Sequence, residues 1–213
     1  MAIAGTIAIP ESSPAVRQSQ PGGSVQQFIS GYIARHQSVL ENLSDCAQDI
    51  ERLAQYCIAA LERSNKILIC GNGGSAADAQ HMAAELVGRF VSDRAALPAI
   101  ALTTDTSALT AIANDYGYNA VFSRQVSALA REGDVLLAIS TSGHSASVLA
   151  ACETARSMGS AVIGLTGKDG GAMVELCDAV VIAPSDETAH IQESHIVVIH
   201  LLCALIEQGL GLS

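Results

Sequence analysis

Two short segments of this chain carry more glycines and hydroxyls than a plain turn needs. One is Gly71-Asn72-Gly73-Gly74-Ser75 and the other is Ser140-Thr141-Ser142-Gly143-His144-Ser145. Glycine lets backbone approach a ligand closely, and the N–H groups at a helix start favour negative charge. Four hydroxyls and a glycine make the second segment a donor-rich cradle for a phosphate monoester. Tight turns with serine caps would use the same residue types, but a cap needs a single hydroxyl. Elsewhere His81 and Glu85 are spaced i,i+4 and share one helix face. Gln192 and His200 lie in an apolar stretch near the C-terminus. Imidazole carries protons near neutral pH, and a partly buried Glu can be tuned into a base. His81, Glu85 and His200 also form a divalent-metal set, with Gln192 a weaker oxygen donor. Residues eight apart on a straight helix are separated by about 12 Å of rise. Gln192 and His200 therefore meet one ion only by reaching from either side, or one of them serves a neighbouring subunit.

The elements that must position these groups are legible as alternating patterns. Five short apolar runs end in small or polar residues: Lys66–Cys70, Ala99–Leu102, Asp134–Ile139, Ala161–Leu165 and Ala179–Ala183. Helical periodicity occupies the spaces between them, at Ala76–Arg89, Ser107–Ala113, Ala120–Arg131, Ser145–Met158 and Gly171–Leu176. A last helix spans Thr188–Gln208, and two more precede the first run, with a break near Ser44–Asp45. Strands alternating with helices predict a three-layer α/β/α sandwich around a five-stranded parallel sheet, flavodoxin- or Rossmann-like. In such sheets ligands sit at the carboxyl ends of strands, where both glycine-bearing loops fall. Residues 1–24 hold three of the five prolines and read as a flexible extension of a single domain over 25–213.

Composition narrows the function classes. A formal net charge of −10 with no Lys/Arg cluster disfavours nucleic acid and anionic membranes as partners. The six cysteines are scattered without metal or redox spacing, as for reduced thiols in a core. No apolar run approaches the ~18 residues of a membrane span and the N-terminus lacks a basic leader, so the expected home is the cytoplasm. Low charge with high apolar content suggests that other subunits cover some helix faces. Gly71-x-Gly73-x-x-Ala76 fits a loose dinucleotide fingerprint, but the second strand ends at Asp105, well past the usual position of the acidic residue.

Four segments, Cys70–Phe90, Leu102–Tyr118, Leu136–Leu149 and Thr188–Glu207, together resemble the bacterial phosphoheptose isomerases of the sugar isomerase (SIS) domain family, in order and spacing. The resemblance spans Val25 to Leu210. It implies an enzyme that isomerises sedoheptulose 7-phosphate, for bacterial heptose synthesis. By position it implies that Ser140, Thr141, Ser142 and Ser145 bind phosphate, with Asn72, Gly73, Gly74 and Ser75 near the sugar. Asp115 matches a contact to sugar hydroxyls, and Arg89 borders the site. Glu85 and His200 match the catalytic acid–base pair. His81, Glu85, Gln192 and His200 match the zinc ligands of metal-containing members, one ion per subunit. Homotetramers with active sites at subunit interfaces are implied too. His190 departs from the pattern, because many relatives carry Arg there. The rival reading is a non-catalytic SIS protein that binds a sugar phosphate or the replication initiator. Proteins of the initiator-binding type lack the Glu and His found here at 85 and 200.

Overall fold

The computed structural model describes residues 23–212. The extension expected over 1–24 lies, but for its last two residues, outside them. The described residues divide into two compact units, one up to Arg35 and one from His36 onward. In the first, Ser24 and Gln27 cap the start of α1 (Val25–Leu43) reciprocally: the Ser24 N–H donates to Gln27 Oε1 at 2.7 Å, and the Gln27 N–H donates to Ser24 Oγ at 3.2 Å.

In the second unit α1 ends where Ser44 Oγ bonds back to the Glu41 carbonyl at 2.8 Å, and a short 3-10 turn leads into α2 (Ala47–Glu62). The expected alternation follows: β1 (Ile67–Gly71), α3 (Gly74–Val87), β2 (Ala99–Ala101), α4 (Thr106–Tyr116), α5 (Ser123–Leu129), β3 (Val135–Ile139), α6 (Ala146–Ser157), β4 (Ala161–Gly167), α7 (Met173–Leu176), β5 (Ala179–Ala183) and α8 (Thr188–Gly209). All strands are parallel, in the order β2-β1-β3-β4-β5.

Both faces of the sheet are covered, so its central strands are apolar throughout. Ile67, Ile69, Val135, Leu137, Ile163 and Leu165 pack with α2, α3 and α8. The alternate residues Leu68, Cys70, Leu136, Ala138 and Val162 pack with α5 and α6. The reversal of strand order falls between β1 and β3, where Gly71 pairs with Ile139. The loops that follow therefore leave the sheet side by side, which is where a parallel α/β sheet opens a crevice.

Two buried carboxylates fix the frame. Asp134, just before β3 rather than inside it, accepts the Lys66 N–H at 3.0 Å, the Arg131 N–H at 2.7 Å and the Lys66 ammonium. Burial alone would raise its pKa, but those donors outweigh it and hold the carboxyl below its ordinary value. Glu207 in α8 accepts the N–H groups of Phe90, Val91 and Ser92, each at 3.3 Å, and Arg94 Nε at 2.9 Å. Burial again pushes upward, and the backbone and Arg94 donors pull the pKa below the ordinary carboxylate value. Both side chains of this pair are buried, at 2% and 3% exposure. Glu207→Gln leaves the guanidinium buried without its counter-charge, and we expect a loss of about 3 kcal/mol in urea unfolding at pH 7. A carboxyl depressed in the folded state stabilises fully above its unfolded pKa, near 4.3, and loses that contribution as pH falls through the folded value. The gap between wild type and variant should accordingly close below about pH 4.

Candidate active site

After β1 the chain turns through Asn72 and Gly73 into α3, and Gly73 adopts φ +57°. A Cβ on Gly74 would fall on the side-chain amide of Gln192, so glycine here brings α8 against the loop. After β3 a tight turn closes with the Gly143 N–H on the Ser140 carbonyl at 3.1 Å. Gly143 has φ +63°, and its carbonyl accepts the Met173 N–H at 3.1 Å.

The two loops are tied by Asn72. Its amide donates to Ser145 Oγ at 2.8 Å and Ser147 Oγ at 3.0 Å, and its carbonyl oxygen accepts the Tyr118 hydroxyl at 2.7 Å. Ser145 occupies the N-cap of α6 but makes no capping bond, so its hydroxyl serves the crevice rather than the helix. Ser142 accepts the His144 N–H at 3.2 Å, as local turn chemistry would have it. The crevice is a cavity of about 160 Å³ lined by Asn72, Ser75, Ser140, Thr141, Ser142, Ser145 and Gln192, with Ile139 at its floor. It joins hydroxyls and amides at the N-termini of two helices, a setting for a phosphate group without a formal positive charge.

A second cluster forms farther along α3. His81 Nε2 is 3.3 Å from Glu85 Oε1 and 3.5 Å from His200 Nε2. Phe90 stacks on the His200 ring, with centroids 5.7 Å apart. The loop carrying Phe90 is the one pinned by Glu207, while Arg94 binds the Glu85 and Leu86 carbonyls at 2.9 and 2.8 Å. One network thus fixes both the end of α3 and the ring beside His200. Asp78, one turn before His81, is half-buried with its Oδ2 unbonded among the described residues; burial raises its pKa to about 6 against the lowering by His81.

Of the expected site residues, the structure brings Asn72, Ser75, Ser140, Thr141, Ser142, Ser145 and Gln192 together, with Gly73 and Gly74 in the turn beside them. It brings His81, Glu85 and His200 together separately. Gln192 belongs to the first group, and Glu85 is ten residues beyond Ser75, about 15 Å along the helix. Asp115 is exposed at the end of α4, where it accepts the Asn114 amide at 2.7 Å, and it does not line the cavity. Arg89 is exposed. Asp105 caps α4 by accepting the Ala108 N–H at 2.9 Å, which accounts for an acid there without any nucleotide.

Sequence reasoning missed Tyr118, Ser147 and Glu207, though all three stand in the segments named above, and it missed Arg94, which lies outside them. His190, the departure from the family pattern, and its neighbour in α8, His195, have structural roles that the sequence does not show. Both are buried; His195 donates from Nε2 to the Thr166 carbonyl at 3.0 Å, and burial lowers its pKa to about 4. All six cysteines are free thiols, four of them buried. Among the described residues α8 alone is long and apolar enough to cross a membrane, but half of that span is buried, and α8 packs on α2 and α3.

Comparisons with known proteins agree with this geometry. A family model described as SIS domain matches residues 31–167. A phosphoheptose isomerase of Rhodospirillum rubrum is 58% identical over 168 residues, covering 79% of this chain and 89% of its own. One from Nitratiruptor is 54% identical over 184 residues, covering 86% and 98%. The solved phosphoheptose isomerase of Neisseria gonorrhoeae superposes with a TM-score of 0.83 at 44% identity, covering 87% of this chain and all of that one. The chain belongs to the SIS domain family and, within it, to the phosphoheptose isomerases.

Proposed function

We propose that this protein interconverts sedoheptulose 7-phosphate and D-glycero-D-manno-heptose 7-phosphate through an enediol, supplying heptose for bacterial glycans. The observation that carries this reading is the hydroxyl-lined crevice together with a carboxylate and an imidazole that share one histidine neighbour. The cradle holds the phosphate and so fixes the sugar's reacting end at a set distance. One member of the Glu85–His200 pair removes the proton from the hydroxyl-bearing carbon. The other moves a proton between the two neighbouring oxygens, and the first returns its proton to the former carbonyl carbon. No atom is gained or lost, as an isomerisation requires.

Two imidazoles and a carboxylate are a donor set that suits zinc, and His81 lies next to both Glu85 and His200, so the three would hold one ion per subunit. When bound, zinc supplies Lewis-acid polarisation of the substrate carbonyl. Gln192 lies about 12 Å of rise from His200 on α8 and would join these ligands only from another copy. The same separation supports the reading that the Glu85–His200 pair of one copy works beside the cradle of the next, in a cytoplasmic homotetramer with active sites at subunit interfaces. Asp115, exposed at the end of α4, is then a contact for sugar hydroxyls across the interface.

The test is direct. Purified protein given sedoheptulose 7-phosphate should release the aldose heptose phosphate, and chelator should slow it. Binding of the ketose without any conversion, with or without added zinc, would leave a sugar-phosphate binding protein instead.

A further inference from the structure

A third cluster lies outside both groups. His36 of α1 and His190 and Glu193 of α8 put their ligand atoms within 4.8 Å of one another. The Nδ1 atoms of both histidines stand 2.8 Å from the same carboxylate oxygen, Glu193 Oε2, and the two rings stack with centroids 5.6 Å apart. His36 Nδ1 is buried and makes no hydrogen bond despite that close approach. His190 is 1% exposed, and its other nitrogen, Nε2, lies 3.5 Å from Glu187 Oε2.

Both nitrogens of a buried ring thus face carboxylate oxygens. A cation at Nδ1 suits that setting. It takes the Nδ1 lone pair and leaves Nε2–H to donate to Glu187, the carboxylate–histidine arrangement that supports metal-bound imidazoles. It also gives the buried His36 Nδ1 a partner. The geometry points to a second metal site: we propose that His36, His190 and Glu193 bind a divalent first-row transition ion of the zinc class. Two imidazoles and a carboxylate select this class over calcium or magnesium, which prefer oxygen alone. Tetrahedral zinc at about 2.05 Å from each ligand sets them about 3.3 Å apart, so the Glu193 oxygen would retreat about 0.5 Å from each Nδ1. A water completes the shell, because Glu193 is 38% exposed. The ion pins residue 36 to α8, so its main effect is on stability. The proposal does not rest on the isomerase reading.

Testing it requires silencing the other set. Full-length His81→Ala/Glu85→Gln protein, stripped with chelator, should take up about one zinc per chain in calorimetry, with a rise in Tm. Adding His36→Gln to that background should remove both the uptake and the Tm rise. Unchanged uptake in the triple variant overturns the site. Zinc-soaked crystals of the unaltered chain give a reading that no variant's folding can spoil. An anomalous peak between the two Nδ1 atoms and Glu193 Oε2 supports the site, and no peak there overturns it. A peak at His81 alone would support the isomerase set and sink this one.

Discussion

Replacing Glu85 with Gln should lower kcat by about a hundred- to ten-thousandfold, the usual worth of a positioned acid or base. The amide keeps the size and much of the hydrogen bonding of the carboxylate but cannot take a proton from carbon. Substrate affinity should survive, because the phosphate grip lies in the crevice lined by Ser140, Thr141 and Ser142, which does not include Glu85. The measurement is kcat from heptose formation set beside the dissociation constant for sedoheptulose 7-phosphate from calorimetry. A variant with full turnover would remove Glu85 from the chemistry. A variant with neither turnover nor binding would make it a binding residue instead.

Gly143→Ala should disable the cradle itself. The residue has φ +63°, where a side chain costs about 1–2 kcal/mol. Strain is the smaller part. An added Cβ would fall onto the carbonyl of Gly170, and a Cβ on Gly171 would in turn meet the Ser142 carbonyl and Gly143. Two backbones lie in contact there with no flexible side chain to yield, so the serine turn must shift. Inhibition by inorganic phosphate should weaken at least about tenfold, and Tm should fall by several degrees. Gly73→Ala is the informative comparison. It has φ +57° but no atom within 4 Å of an added Cβ, so its stability should drop by the strain alone. Equal losses of Tm in the two variants would show that the clash at 143 relaxes freely.

Much of this molecule could be read in advance because its signals are local. Past their charged first residues, the runs Lys66–Cys70 and Asp134–Ile139 are apolar without interruption, as strands buried on both faces must be, and they mark strand ends to within a residue. Loops full of glycine and serine announce themselves by composition. The i,i+4 pair His81–Glu85 is equally local and does meet, at 3.3 Å. The groups that stayed hidden depend on distant partners. Glu207 looks like a surface residue at the end of a helix until Arg94 and three N–H groups from residues 90–92 converge on it. His36 gains its meaning only from His190 and Glu193, more than a hundred positions away. Ser145 is legible as a cradle hydroxyl, but its bond to the Asn72 amide is not, because that amide comes from another loop.

The strand order also governs how the polypeptide can assemble as it leaves the ribosome. β1 is made early but lies inside the sheet, and both its neighbours, starting at Ala99 and Val135, are made much later. Until then its backbone donors and acceptors have only water or a chaperone to satisfy them. The helix α8, which shares one face of the sheet with α2 and α3, follows all five strands in the chain and packs on both those helices. A nascent chain interrupted before Thr188 would expose Leu137, Ile163 and Leu165 to whatever sticky surface is nearby. Docking of α8 is therefore what covers the apolar surface still open on an otherwise complete sheet.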